Sequence, residues 1–232
     1  MMGQRHLEAG FAVLLAAAVM FPGLAGAQTA PLTRLYAPKP PQGSAYVRVV
    51  NPTAAAAAVS LAGGAPVTLG PATERALAYR VAPGGKPVTL TVDGKPVAGE
   101  IVPVADGFLT IALSGGPGGW SAKPLPDATE GRDDLKVMLR FYNLAEGCTA
   151  ALAVADGPTV FDGVPQSESR QRAINPVDAS LVGRCGPLAS APVRLPKLKA
   201  GDHYSLFLGG NATAPILQGQ VDETEPYRGT AN

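Results

Sequence analysis

The chain has 232 residues, with 19 Lys and Arg against 18 Asp and Glu and a formal charge of +1, so it carries no electrostatic footprint for nucleic acid or for an acidic membrane surface. Its 28 glycines and 23 prolines run at roughly twice ordinary usage, which leaves little room for long helices and implies many turns between short strands. Aromatics are 6% of the residues inside a hydrophobic share of 46%, so the core is expected to be built from Val and Leu rather than from large rings.

Residues 1–27 read as a signal peptide. Arg5 and His6 precede an apolar run from Ala9 to Phe21, and small residues close it at Ala25-Gly26-Ala27. The run is shorter than the ~20 residues that span a bilayer. Cleavage is expected between Ala27 and Gln28, leaving an exported, periplasmic chain that is not transmembrane. Residues 28–43 form a Pro-rich lead carrying Pro31, Pro38, Pro40 and Pro41.

The first strand signal is Ala45-Tyr46-Val47-Arg48-Val49-Val50-Asn51, stopped by Pro52. Further strands follow at 56–61, 66–69, 74–82, 87–93, 96–102 and 107–113, with Asp93-Gly94 as a hairpin turn. Residues 117–133, with Gly118, Gly119, Pro124 and Pro126, have the composition of an exposed, semi-rigid linker. The scheme then starts again. Leu135 to Asn143 carries the same Arg-x-x-Asn ending, Arg140 standing 92 positions after Arg48, and strands are expected at 149–155, 158–162, 166–174, 177–183, 191–195, 202–208 and 216–220. Gly107 to Gly116 aligns with Gly201 to Gly210 at an offset of 94. The pattern predicts an all-β protein of two tandem antiparallel β-sandwiches related by internal duplication, the first over 44–116 and the second over 134–221, with a tail at 222–232. Each half is expected to fold alone.

In an exported chain the two cysteines are expected to form a disulfide, Cys148 to Cys185, confined to the second half. In the chain-entropy model a loop of that length stabilises by about 4 kcal/mol.

Catalytic constellations are missing. After cleavage the one histidine is His203, and its neighbour Asp202 points to the opposite face of a strand, so the two do not make a dyad. No Gly-x-Ser-x-Gly elbow, phosphate loop or calcium loop is present. No cofactor and no metal are expected. Three residues stand out as interaction candidates. Arg48 and Arg140 either bind a carboxylate of an acidic polysaccharide or partner protein, or are solvated on an outer sheet face. Trp120 either stacks on a glycan or plugs the junction of the two sandwiches, the plug being favoured.

The ordered series Pro31-Leu32-Thr33-Arg34-Leu35-Tyr36, Tyr46-Val47-Arg48-Val49-Val50-Asn51, Phe141-Tyr142-Asn143-Leu144, Ala173-Ile174-Asn175-Pro176-Val177 and Leu195 to Leu208 resembles the AlgF family of periplasmic alginate O-acetylation proteins. The resemblance spans most of the mature chain and rests on the series rather than on one chemical signature. It implies a non-catalytic periplasmic adaptor that links the membrane acetyl-donor system to O-acetyltransferases of the same cluster, serving an exopolysaccharide, alginate first. The alternative is a polysaccharide-binding β-sandwich module without a fixed enzyme partner. A third possibility is an acetyl-carrying enzyme with a Ser or Thr nucleophile.

Overall fold

The structure, a computed structural model, describes residues 39–131 and 133–226. The expected signal peptide, its Ala27–Gln28 junction and residues 28–38 of the lead lie outside the described residues. Among those described there are seventeen strands and no helix. In the first half these are β1 (Ser44–Val50), β2 (Ala57–Leu61), β3 (Val67–Leu69), β4 (Arg80–Pro83), β5 (Leu90–Val92), β6 (Lys95–Pro96), β7 (Phe108–Gly116) and β8 (Gly119–Asp127). The second half has β9 (Val137–Asn143), β10 (Ala150–Val154), β11 (Thr159–Val164), β12 (Glu168–Ile174), β13 (Ser180–Cys185), β14 (Leu188–Ala189), β15 (Val193–Arg194), β16 (His203–Asn211) and β17 (Ala214–Val221).

The sheets repeat one plan. The order β4-β1-β7-β8 recurs as β12-β9-β16-β17, and β3-β2-β5-β6 recurs as β11-β10-β13-β14, with β15 added on β13. Eight strands thus correspond one to one in order and partner, as expected of a duplicated all-β chain. One detail differs from a purely antiparallel sandwich, because β1 pairs β7 and β9 pairs β16 in parallel. Between the members of each pair the chain crosses to the outer sheet and back, which is the long connection a parallel pair requires.

Alternation along the strands explains the layering. On β1, Ala45, Val47 and Val49 join Val59, Leu61, Leu69, Leu90 and Ile111 in the core between the two sheets of the first half. On β9, Val137, Leu139 and Phe141 do the same with Leu152, Leu181, Leu206 and Leu208 in the second. The other faces of β1 and β9 are also buried, because the two inner sheets face each other. Val50, Ala76, Ala112 and Leu125 of the first half there meet Tyr142 and Phe207 of the second. A strand buried on both faces is hydrophobic at nearly every position, and Tyr46 to Val50 and Val137 to Tyr142 are, apart from one arginine each.

Two sequence expectations are corrected. Residues 117–133 are not an exposed linker, because Gly119–Asp127 is strand β8, paired with β7 from Gly116↔Gly119 to Phe108↔Asp127. The first sandwich therefore runs past residue 116. The prolines that masked this strand, Pro124 and Pro126, sit on its open edge, where a missing N–H costs no ladder bond. The far ends of the halves also correspond at an offset of 95, not 94. Arg48 pairs Thr110 where Arg140 pairs Ser205, and Gly115 and Gly210, both at positive φ, close the matching hairpins. A Cβ on either glycine would run into a backbone oxygen, of Gly119 or Ala214 respectively. A one-residue slip turns every side chain to the other face, so only the 95 offset places equivalent residues in equivalent layers.

Cys148 and Cys185 are bonded, with their Cα atoms 5.5 Å apart. The bridge ties the loop after β9 to the end of β13.

Candidate functional site

The repeated Arg-x-x-Asn ending splits its two polar residues between opposite faces, because three positions along a strand change sides. Asn51 and Asn143 point into their own halves, fully buried. Asn51 Nδ2 donates to the carbonyls of Ala55 and Leu69, and Asn143 Nδ2 to those of Cys148 and Val164. Arg48 and Arg140 point the other way, into the layer between the halves, where they are 1% and 4% exposed.

There the two arginines reach across. Arg48 of the first half donates through Nη1 to Asp222 Oδ1 at 2.6 Å, immediately past β17, and through Nη2 to Ser205 at 2.8 Å and Tyr142 at 2.9 Å. Its Nε stays within its own half and donates to Thr110. Arg140 of the second half pairs with Asp127 of the first at 3.9 Å and donates to Tyr79 and to the Ala128 carbonyl. Asp127 and Asp222 stand 95 positions apart, so the crossed pairs are equivalents of one another. Tyr142 donates to Asp127 Oδ1 at 2.6 Å, and Tyr79 and Thr110 donate to its other oxygen. Ser205 donates to Asp222. The Arg48 guanidinium also stacks on the Tyr79 ring, 4.3 Å from its centroid.

Two cations and two anions thus neutralise each other out of water, with hydroxyls, the Gln171 side-chain oxygen and the Ala128 carbonyl taking the remaining bonds. Burial works against the charge on Arg48, but Asp222 foremost, with Tyr79, Tyr142 and Asp127, outweighs it and keeps the guanidinium protonated. Burial likewise works against the Asp222 carboxylate. Arg48 and Arg140, with hydrogen bonds from Arg48 and Ser205, hold its pKa below the ordinary value all the same. Burial pushes the Tyr79 and Tyr142 hydroxyls up.

Strands past the network extend the exchange. The segment after β17 runs along β4, with Tyr79 N–H donating to Glu223 O and Glu225 N–H to Tyr79 O, and with Arg80 paired to Glu225. The segment after β8 runs along β12, where Gln171 Nε2 donates to Glu130 O. Gln220 of β17 takes the N–H groups of Arg75 and Ala76 and gives to the Ala76 carbonyl. Gly209 lies so close to Pro52 that a Cβ on it would strike the proline carbonyl oxygen. The 222–232 tail expected beyond the second sandwich therefore begins as part of this joint.

Of the interaction candidates, Arg48 and Arg140 meet here, and neither is solvated or offered to a partner. Each does bind a carboxylate, but an internal one. Trp120 is elsewhere. It packs half-buried against the core of the first half and donates its indole N–H to Asp93 at 2.8 Å, so it does not plug the junction. His203 starts β16 at the rim of this layer, two residues before Ser205. Asp127, Asp222, Tyr79, Thr110, Tyr142 and Ser205 were missed in the sequence. The usable signal for the two acids was the repeat itself, since an offset of 95 carried past the hairpins aligns Asp127 with Asp222.

Ser205 is fully buried and engaged by both Arg48 and Asp222, so an acetyl donor has no route to its hydroxyl. Among the described residues no group of three or more His, Cys, Asp or Glu is placed to hold a metal ion, and no helix is long and apolar enough to cross a membrane.

Comparison with known proteins gives one family. The family model described as Alginate O-acetyl transferase AlgF matches residues 16–205. A relative from Pseudomonas putida named Alginate biosynthesis protein AlgF is 30% identical over 186 residues, covering 78% of this chain and 81% of its own. A solved structure of the C-terminal domain of AlgF from P. aeruginosa aligns with 28% identity and a TM-score of 0.33, covering 38% of this chain and 98% of that one. With a family match over residues 16–205 and a relative sharing most of its length, this chain belongs to the AlgF family.

Proposed function

We infer that the protein is a non-catalytic adaptor of exopolysaccharide O-acetylation, with alginate as the polymer, working in the periplasm between the acetyl-donor system and the O-acetyltransferases. One observation carries the adaptor part: the densest group of reactive side chains among the described residues is buried and spent on joining the two halves. Arg48, Arg140, Asp127, Asp222 and Ser205 give the molecule a stiff joint, not a reaction centre. A body built of two such sandwiches offers extended outer sheets and strand edges, which suit binding to proteins through dispersed contacts. The pathway part is supported by the family description and by the name of the Pseudomonas putida relative.

The test is genetic and biochemical together. A strain lacking the gene should still make polymer, but without acetyl groups, and a His203→Ala copy should restore acetylation. The mature protein should co-purify with an acetyltransferase of its cluster. Hydrolysis or transfer of acetyl esters by the purified protein alone, lost in His203→Ala, would overturn the adaptor reading. Tight binding to deacetylated polymer with no other protein present would favour a polysaccharide-binding module instead.

A further inference from the structure

A third arginine is buried, and it lacks what Arg48 and Arg140 have. Arg75, in the segment between β3 and β4, is 7% exposed. Its Nη1 donates to the carbonyls of Asn51 at 3.1 Å and Thr53 at 2.6 Å. Its Nε is sealed from water without a partner, the one such side-chain nitrogen or oxygen among the described residues. Nη2 makes no hydrogen bond among these residues either, but it is not sealed. Arg48 and Arg140 each hold an aspartate, whereas Arg75 enters no ion pair among the described residues. Burial lowers the Arg75 pKa with no carboxylate to oppose it, while at Arg48 burial is outweighed, by Asp222 foremost. A guanidinium keeps its proton near neutral pH all the same. A buried cation therefore stands here without a counter-charge, which folded proteins otherwise avoid.

The duplication shows that the fold does not need this cation. Asn51 and Asn143 are equivalent, and the side-chain oxygen of each accepts the N–H two residues on, of Thr53 and of Ala145. Arg75 stands opposite Asn51, its carbonyl accepting the Asn51 N–H. Opposite Asn143 stands Glu168, exposed and paired with Arg170. The second half thus closes the same turn with no cation in that place. In Arg75 the edge left over is the one shared by Nε and Nη2, the fork that takes both oxygens of a carboxylate side by side. One guanidinium offsets one negative charge, and Glu74, next in the chain, opposes a second. We propose that Arg75 is a binding site for a small, singly charged carboxylic acid, entered from Nη2 and closed at Nε. A carboxylate fixed on a partner's surface cannot follow the fork under its cover, so the ligand is a free acid of the size of acetate or formate. This inference stands apart from the adaptor reading, since it needs neither a polymer nor an enzyme.

Nitrogen–proton NMR of the mature full-length protein tests it on the wild type itself, through the Arg75 Nε–H signal, assigned by its loss in Arg75→Lys. Sodium acetate, titrated at pH 7 against sodium chloride of equal ionic strength, should shift that signal along a saturating curve with its midpoint below about 100 mM. Acetate should also raise the thermal unfolding midpoint of the wild type above its value in chloride, because a ligand of the folded state stabilises it. In Arg75→Gln that difference should vanish, and in Arg75→Lys, which keeps the charge and loses the fork, most of it should. An Nε–H signal that follows acetate no differently from chloride overturns the proposal. So does an acetate effect on the midpoint that is equal in wild type and Arg75→Gln, which would place the acetate elsewhere. An Nε–H slow to exchange and indifferent to acetate overturns it too, since the chain itself would then satisfy the group.

Discussion

Arg48 has left water altogether, so what it contributes depends on the oxygens around it. Replacing it by methionine strands Asp222 without its cation and leaves Thr110, Ser205 and Tyr142 short of a donor. Losing one partner of a buried pair costs about 3–5 kcal/mol, and Arg48→Met should lower the urea-unfolding free energy by that amount. Adding Asp222→Leu should return part of it, because an apolar pair strands no charge. Simple additivity of the two losses would show the residues uncoupled. Titration carries a second prediction. The Asp222 carboxyl is held below its ordinary value, so it contributes stability above the unfolded value near 3.9 that is lost as pH falls through the lower folded value. Tyr204 is pushed up to about 12, by burial first and then by Asp222. Its contribution is fully present below the unfolded value of about 10 and is lost as pH rises through the folded one. Unfolding midpoints measured against pH should therefore fall off at both ends, with the acid limb flattened in Asp222→Asn.

At the scale of single elements, β8 separates two descriptions of the chain. If 117–133 were a solvated linker, Leu125→Ala would change stability by no more than about 0.5 kcal/mol. Leu125 is instead 6% exposed, in the layer shared by the halves with Tyr142 and Phe207, and its truncation should cost about 2–5 kcal/mol, read by chemical denaturation. Other elements were plain in the sequence. The strands at 45–51 and 135–143 were legible because both faces are buried and the apolar run is long. The disulfide was legible from two cysteines behind a segment read as an export signal. By contrast, the edge strands β6 and β14 have two residues each and leave almost no pattern, and β8 was hidden by prolines that are harmless only because of where its edge faces.

For the whole molecule, the crossed pairs and exchanged segments make each half a part of the other's boundary. Separating them would expose two guanidinium groups and two carboxylates together with Tyr79, Tyr142 and Phe207. Thermal unfolding is therefore expected as one cooperative transition, seen alike by far-UV and near-UV circular dichroism. Reduction of Cys148–Cys185 removes about 4 kcal/mol in the chain-entropy model and should lower that single transition. Two separated transitions after reduction, the first half keeping its midpoint, would restore the view of independent sandwiches. What the sequence alone determined follows from local physics: short strands from turn residues, sidedness from alternation, a repeat from the echo of Arg-x-x-Asn, and a disulfide from two cysteines behind a segment read as an export signal. Only the tertiary structure decided that Arg48 and Arg140 are inside, because a strand pattern tells which face a side chain takes but not whether that face meets water or another sheet. Once the two inner sheets close on each other, each buried arginine requires a carboxylate, and the chain supplies one from the end of the opposite half.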